Sequence, residues 1–259
     1  MNKSNAQQAN KSIKYISWEN FIVFEKNNTI TWHEMERDSP DEIIHKGTYS
    51  LKIEDSVPFV YVDFADGLSE KWLMLANGTV CDIFRPNGQH IHTVTGSVNR
   101  TEIIFPAADI INSTSFLTEG NIQYLPQNLK LYYKDNNPWV EGVPGQGINE
   151  KLYFENLYCD KGTMQISIGY VSYDKPYLYT QNSRPKKIKL SVEGKFSVII
   201  DLLDTPKYQQ INIPDKIINE VLIMEILEVY AGTKYEDTCI NTVLFELNSG
   251  YYEYNKYWE

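Results

Sequence analysis

Polar side chains gather in three stretches in the second half of this chain, and their types suit recognition of hydroxyl-bearing ligands. The stretches are WVEGVPGQGINE at residues 139–150, YTQNSRPKK at 179–187 and VYAGTKYEDTCI at 229–240. Carboxylates accept hydrogen bonds from hydroxyl groups, the arginine fork donates them, and asparagine does both. Tyrosine rings add an apolar surface on which a ligand can stack. The three stretches are therefore predicted to form a binding site.

Eight residues in these stretches are the candidate ligand-binding residues, because each offers a hydrogen-bonding group or a ring. They are Trp139, Glu141, Glu150, Tyr179, Asn182, Arg184, Tyr235 and Asp237. Tyr177 and Tyr230 are further aromatic candidates. The glycines between Glu141 and Glu150 permit a tight loop whose backbone can approach a ligand closely.

Several of these residues also have a structural interpretation. Trp139 suits a buried core position, and Asn182 is a common turn residue. Glu150 can accept hydrogen bonds from the loop backbone, and Arg184 can form an ion pair with Asp237 that joins two loops. Both interpretations stay open for the side chains, and both place the three stretches close together.

A pair of histidines in the first half of the chain offers a different chemistry. His90 and His92 are two residues apart, which places both rings on one face of a strand. Such a pair binds zinc when a third ligand joins it, and Cys81 or Asp82 on the neighbouring strand is a conceivable donor. No other ligand spacing accompanies the pair, so we expect a solvated histidine pair and no metal site.

Sequence motifs of common enzymes are absent from the chain. It contains no GxSxG elbow, no HExxH motif and no P-loop. Each of these motifs supplies a nucleophile, a metal site or a phosphate cradle. We therefore predict no catalytic residues and a protein that is not an enzyme.

Short strands separated by turn signals make up the first half of the chain. Residues 47–53 and 57–64 alternate apolar and polar side chains, and residues 80–84 are a further strand candidate. Asp66-Gly67 and Asn77-Gly78 are dipeptides typical of tight hairpin turns. The pattern predicts an antiparallel meander in a small barrel or an open sheet.

The second half continues the β pattern, and about eight strand-like segments in ~135 residues suit a jelly-roll sandwich. No helix is evident, and residues 214–220 would hold one helical turn at most. The predicted fold class is therefore all-β, with an N-terminal antiparallel β-meander or small barrel-like domain followed by a jelly-roll β-sandwich. The predicted limits are a disordered polar leader at 1–13, the first domain at 14–109, the sandwich at 110–247 and an aromatic tail at 248–259.

The three polar stretches resemble the NADase-type glycan-binding domain, a discoidin-like module with a galactose-binding-like sandwich. The family pattern runs approximately W-V-E-G-x-x-G-x-G-I-G-E, then N-x-R-P-K, then V-Y-x-G-x-K-Y-x-D-T, and the match covers about residues 111–247. The resemblance implies a β-sandwich that binds carbohydrate through loops at one end. It implies no cleavage of NAD, because the hydrolase chemistry of such proteins belongs to a different domain.

The chain departs from its relatives where many discoidin-like modules support calcium. The loop at residues 128–138 lacks an Asp-Gly pair, and residues 240–243 read INTV where relatives have Ser-Glu-Ile. Calcium takes six or more oxygen ligands, commonly from several carboxylates. We therefore expect no tight calcium site and no cofactor.

The net charge, the apolar runs and the cysteine spacing limit the kinds of partner and site that we expect. The formal net charge of −10 argues against nucleic acid, which needs a basic field. No apolar run approaches the ~20 residues that cross a bilayer. The three cysteines, Cys81, Cys159 and Cys239, have no metal-like spacing. Burial of all three is one interpretation, and a Cys159–Cys239 disulfide is the other.

These observations lead to three functional hypotheses. The first is a non-catalytic bacterial envelope or secreted protein that binds a glycan or glycoprotein. The second is a protein-interaction or scaffold protein that uses the sandwich and the aromatic tail, and the third is a hydrolase with its active site in the first half. The family implies an extracytoplasmic location, and we expect that a signal or lipid anchor was removed ahead of the polar start.

Overall fold

The computed structural model describes residues 13–16, 20–35, 42–95, 102–105, 108–130 and 137–248. The chain divides into two compact units, one drawn from residues 1–54 and 58–100 and the other from residues 55–57 and 101–259. Strands dominate both units. The predicted all-β class is confirmed.

The first unit is an eight-stranded antiparallel barrel. Its strands are β1 (Ile13–Ile16), β2 (Asn20–Phe24), β3 (Thr29–Met35), β4 (Glu42–Glu54), β5 (Val57–Phe64), β6 (Ser69–Ala76), β7 (Val80–Phe84) and β8 (His90–Thr95). Each strand pairs with the next in sequence, and β8 closes the barrel by pairing with β1. The meander was predicted, and the pairing of β1 with β8 selects the barrel over the open sheet.

Aromatic residues fill the barrel interior. Trp32 and Trp72 are fully buried, and their rings meet edge-on with centroids 5.6 Å apart. The indole of Trp32 donates a hydrogen bond to Oδ1 of Asn20 at 2.9 Å, so its polar atom is satisfied inside the core. Alternation along β4 places Leu51 and Ile53 on the face that points into the barrel. Both are nevertheless exposed, because β4 pairs with β3 only as far as Thr48.

The second unit is a β-sandwich of two sheets. The first sheet has the order β10 (Ile110–Ser113), β14 (Lys151–Cys159), β19 (Ile217–Tyr230), β16 (Arg184–Val192) and β17 (Phe196–Asp201). The second has the order β13 (Trp139–Val140), β20 (Cys239–Asn248), β15 (Thr163–Ile168) and β18 (Gln209–Asn212), and β9 (Glu102–Phe105) also pairs with β20. A small hairpin, β11 (Thr118–Glu119) with β12 (Ile122–Gln123), completes the unit. The predicted sandwich is confirmed.

The core of the sandwich lies between its two sheets. Alternation along β14 turns Leu152 and Phe154 inward, and Phe154 meets Phe245 of β20 edge-on with centroids 5.4 Å apart. Trp139 is fully buried in the same cluster. The loops that follow these strands therefore start from fixed positions.

The division between the units falls after residue 100, whereas the sequence pattern placed it near 110. Strand β9 accounts for the difference, because its residues pair with β20 at the end of the chain and so belong with the sandwich.

Helical structure is scarce among the described residues. It consists of a 3-10 turn at Pro126–Leu129 and the single-turn helix α1 at Leu178–Gln181. The sequence allowed at most one helical turn at residues 214–220. Residues 217–220 instead begin β19, and Ile217 pairs with Cys159 of β14. Within the described ranges, no helix is both long and apolar enough to cross a membrane.

The three cysteines are buried free thiols, so Cys159 and Cys239 are not joined. The calcium prediction depends in part on residues 131–136, which lie outside the described residues. The same holds for the predicted leader up to residue 12 and for the aromatic tail from residue 249.

Candidate functional site

Three loops carry the polar stretches, and each connects two strands of the sandwich. The glycine loop (141–150) joins β13 to β14, the α1 loop (169–183) joins β15 to β16, and the tyrosine loop (231–238) joins β19 to β20. Backbone hydrogen bonds tie the three loops together. The structure therefore brings together the three stretches that the sequence singled out.

Several backbone hydrogen bonds fix the tyrosine loop against the α1 loop. The amide of Tyr235 donates to the carbonyl of Gln181 at 2.8 Å. The amide of Ser183 donates to the carbonyl of Asp237 at 3.0 Å. Because the bonds are between backbones, they hold whatever side chains the loops present.

Glu141 fixes the glycine loop against the tyrosine loop. Its buried carboxylate accepts hydrogen bonds from the amides of Val143 at 2.8 Å and Thr238 at 3.2 Å. Burial raises the pKa of Glu141 above its ordinary value, although these two backbone bonds act against the rise. Gly147 lies so close that a Cβ atom there would stand 2.4 Å from Cγ of Glu141. Glu141 thus organises the loops from inside.

Arg184 and Asp204 form the centre of a second cluster, the Arg184 cluster, beneath the α1 loop. Nε and Nη2 of Arg184 donate to the two carboxylate oxygens of Asp204 at 2.7 and 2.6 Å, and Nη1 donates to the carbonyl of Asn182 at 3.1 Å. The hydroxyl of buried Tyr179 donates to Asp204 at 2.9 Å. Arg184 thus forms an ion pair, as one interpretation of the sequence allowed, but its partner is Asp204 and not Asp237.

Hydrogen bonding sets the pKa values of the Arg184 cluster. Burial acts to raise the pKa of Asp204, but hydrogen bonds from Arg184 and Tyr179 outweigh it and hold the pKa below its ordinary value of 3.8. Burial and the negative charge of Asp204 raise the pKa of the Tyr179 hydroxyl. Arg184 is consequently a fixed cation beside a fixed anion, with Tyr179 neutral between them.

Trp139 and Glu150 hold the two ends of the glycine loop: Trp139 lies in the strand before it, and Glu150 is its last residue. The fully buried indole of Trp139 donates to the carbonyl of Ser115 at 3.1 Å. Glu150 is half-buried and accepts hydrogen bonds from the hydroxyls of Thr114, at 2.6 Å, and Ser115. The Glu150 carboxylate thus accepts hydrogen bonds from side-chain hydroxyls, whereas the sequence interpretation considered backbone amides.

Asp237 and Asn182 differ in exposure. Asp237 is half-buried, and burial raises the pKa of its carboxyl, with the nearby charges of Glu119 and Glu236 adding to the rise. Asn182 is buried and its amide group donates to the carbonyl of Leu178 at 2.9 Å, which closes the C-terminus of α1. Its role in the structure is that of the turn residue considered above.

One group of side chains in this region faces solvent, and we call it the tyrosine surface: Tyr177, Lys234 and Tyr235. The two tyrosines are 41% and 38% exposed. The ammonium of Lys234 lies 4.8 Å from the centroid of the Tyr235 ring. Interactions with Tyr235 are the main cause that raises the pKa of Lys234, and the charge of Tyr177 adds to the effect.

Sequence reasoning identified part of this arrangement. Tyr177 and Tyr235 were aromatic candidates, whereas Lys234 was not singled out although the stretch 229–240 contains it. Asp204 was missed because it lies 20 residues from Arg184, outside the three stretches. An acidic residue in the short connection between β17 and β18 was the only signal that could have found it.

The histidine pair is placed differently from the solvated pair that we expected. His90 and His92 both hydrogen-bond to one oxygen of Asp82, whose side chain is fully buried. Asp82 was one of the two conceivable donors on the neighbouring strand. The pair is therefore part of a three-residue cluster in the barrel.

Comparison with protein-family models supports the motifs. A search of curated proteins gives no match. One similar solved structure is the family 32 CBM from C. perfringens NanJ in complex with galactose, with 11% identity and a TM-score of 0.39 over 56% of this chain and 99% of that chain. The family model of the NAD glycohydrolase translocation F5/8 type C domain matches residues 106–246, more than half of the chain. The predicted resemblance is thereby confirmed, and this chain belongs to the NAD glycohydrolase translocation F5/8 type C domain family.

Proposed function

We propose that this protein is a non-catalytic binding protein that recognises carbohydrate at the tyrosine surface of its sandwich. The observation that carries the proposal is the exposure of Tyr177 and of Tyr235, whose ring lies beside Lys234, on loops that are bonded to one another. Membership of a family named for translocation, rather than for hydrolysis, supports a role in binding.

The chemistry of the tyrosine surface suits a sugar. An exposed aromatic ring offers an apolar face to the C–H groups of a pyranose, and a phenol or ammonium group donates hydrogen bonds to its hydroxyls. Tyrosine also gives large contact area at a low cost in side-chain entropy. The tyrosine surface therefore combines stacking and hydrogen bonding within one patch.

The other candidate residues would act mainly by holding this surface in place. Trp139, Glu141, Tyr179, Asn182 and Arg184 are buried and bonded within the protein. A buried side chain whose polar atoms are already bonded gains little from a ligand. We assign direct contact to Tyr235, together with Tyr177 and Lys234, and support of the loops to the buried residues.

Half-buried Glu150 and Asp237 stand between these two groups. Both residues are partly exposed on the loops. We propose that they accept hydrogen bonds from ligand hydroxyls at the margin of the site. Affinity for a single sugar should be weak, because a solvated sugar gives up good contacts with water on binding.

We further propose that the protein acts outside the cytoplasm, at the bacterial envelope or after secretion. The translocation function in the name of its family supports this location. Fractionation of cells that express the native gene, with immunodetection in the culture medium, envelope and cytoplasm, tests it. Recovery confined to the cytoplasm would contradict the proposal.

A glycan array probed with the full chain tests the proposed function. We expect a selective signal from the wild-type protein and its loss for Tyr235→Ala, with weaker signals for Tyr177→Ala and Lys234→Ala. Tyr235→Phe should retain most of the signal if stacking dominates, because it keeps the ring and removes only the hydroxyl.

Tyr153→Ala is the matched control for these variants. Tyr153 lies in β14 between the core residues Leu152 and Phe154, so alternation places it on the face away from the core. Its removal should leave the array signal unchanged. Silence of the wild-type protein on the array would contradict carbohydrate recognition and favour a protein partner.

A further inference from the structure

Three potential metal ligands converge on the barrel, in a place remote in sequence from the proposed carbohydrate site. Ligating atoms of Asp82, His90 and His92 all lie within 4.8 Å of one another. They are the one such group of three His, Cys, Asp or Glu residues found among the described part of the chain. An inference drawn from them does not depend on the proposed function.

The pairing of two strands brings these residues together. Asp82 of β7 is directly opposite His92 of β8, and His90 is opposite Phe84. Since side chains alternate along a strand, the two histidines share the face of the sheet that Asp82 occupies. The cluster is thus fixed by backbone register, which is the kind of rigid support that a metal site needs.

The ring nitrogens are aimed at one point. Nε2 of His90 lies 2.8 Å from Oδ1 of Asp82, and Nδ1 of His92 lies 2.7 Å from the same oxygen. The ring of His90 is stacked on that of Phe84, with centroids 4.6 Å apart and an interplanar angle of 14°. This stacking fixes the direction of the His90 nitrogen.

We propose that Asp82, His90 and His92 bind a divalent transition-metal ion, with zinc as the expected occupant. Two imidazole nitrogens and one carboxylate oxygen are a ligand set that zinc takes at about 2.0–2.2 Å, with a fourth position left for water or another donor. Tetrahedral bonds of that length separate donor atoms by about 3.3 Å. Each ring nitrogen therefore has to move about 0.5 Å away from the Asp82 oxygen, and the two nitrogens, which lie within 4.8 Å of one another, have to settle at the same separation.

Burial and access both suit such a site. The carboxylate of Asp82 is fully buried, so an ion beside it would be screened little by water. The side chains of His90 and His92 remain 17% and 21% exposed, which gives an ion a way in from solvent. Binding through Nε2 of His90 and Nδ1 of His92 requires each neutral ring to carry its proton on the other nitrogen.

Titration of metal-stripped full-length protein with zinc tests the proposal. We expect one zinc ion per chain with a dissociation constant in the micromolar range or below. Cobalt should give the visible absorption bands of a four-coordinate ion. His90→Gln and His92→Gln should each weaken zinc binding by at least about tenfold, because each removes one of three protein ligands.

His33→Gln is the matched control. His33 also bonds to a carboxylate, with Nδ1 2.6 Å from Glu42, but this pair lacks a second histidine. Zinc affinity should be unchanged in this variant, and circular dichroism of each variant should show an intact fold. Absence of stoichiometric binding by the wild-type protein, or equal binding by the His92→Gln variant, would overturn the proposal.

Discussion

Two aspartates of this protein, one in the barrel and one in the sandwich, accept hydrogen bonds from neighbouring side chains in different ways. Asp204 meets Arg184 through both of its oxygens and Tyr179 through one of them. Asp82 receives both of its histidines on a single oxygen. The first arrangement spreads the donors over the carboxylate, whereas the second concentrates ring nitrogens at one point.

The difference matters because the partners differ in chemistry. A guanidinium has no lone pair to give and stays charged, so the Arg184 cluster can only stabilise the loops. An imidazole can give a lone pair to a metal ion once its proton is on the other nitrogen. A carboxylate with hydrogen-bonding partners thus serves as a structural support in the sandwich, where Asp204 is 37% exposed, and as a potential ion site in the barrel, where Asp82 is fully buried.

Removing the arginine should give the largest effect on stability. We expect Arg184→Ala to lower the free energy of unfolding by about 3 kcal/mol, since it removes the two hydrogen bonds to Asp204 and leaves the carbonyl of Asn182 without this donor. Urea unfolding measures the loss. Lys187→Ala breaks the exposed Lys187–Glu228 pair and should cost much less. Equal losses in the two variants would show that the Arg184 cluster has no special role.

Zinc should stabilise the barrel by a similar amount without affecting the Arg184 cluster. At a free zinc concentration a hundred times the dissociation constant, we expect a gain of about 2.7 kcal/mol in the free energy of unfolding. The gain should vanish in His92→Gln and persist in His33→Gln. A gain that survives His92→Gln would mean that zinc acts elsewhere.

Alanine substitutions at two glycines of the glycine loop measure how closely the carboxylate of Glu141 is enclosed. Gly147 and Gly145 both have a positive φ, of 61° and 95°, but only Gly147 lies against Glu141. Gly147→Ala should cost about 2–3 kcal/mol, because it adds a clash to the backbone strain. Gly145→Ala should cost about 1 kcal/mol from strain alone. Chemical denaturation compares them, and a larger loss at Gly145 would contradict the role of Glu141.

Acid should weaken the Arg184 cluster in a predictable direction. The pKa of Asp204 in the folded protein lies below its ordinary value of 3.8, so the unfolded chain binds a proton there more readily. The resulting stability is present above about pH 4 and is lost as the pH falls. The stability difference between wild type and Asp204→Asn should therefore shrink from pH 6 toward about pH 2. A difference that grows on acidification would contradict the assignment.

The sequence predicted those features that depend on local pattern. Alternation and the Asp66-Gly67 and Asn77-Gly78 turns were enough for the meander, and the three motifs were enough for the sandwich. Closure of the barrel was left open, because it depends on the pairing of β1 with β8, about 80 residues apart in the chain. The exposure of Leu51 and Ile53 escaped prediction for a similar reason, since it depends on where β3 begins.

The candidate site was predictable as a region but not residue by residue. Motifs located the loops, yet they do not say which polar side chains point inward. An ion pair of Arg184 with Asp237 was one interpretation of two of the stretches, whereas the structure supplies Asp204 from another connection. Asp82 could be named as a donor because it lies one strand from the histidines, but its hydrogen bonds depend on register.

The central claim is that the exposed rings of the tyrosine surface bind carbohydrate, and a comparison of glycan binding tests it most directly. The measurement is the affinity of the full chain for the glycan that gives the strongest array signal, for wild type and the Tyr177→Ala/Tyr235→Ala double variant. The account predicts that the double variant keeps its unfolding midpoint and loses binding, while Tyr153→Ala retains both. Undiminished binding by a folded double variant would contradict it.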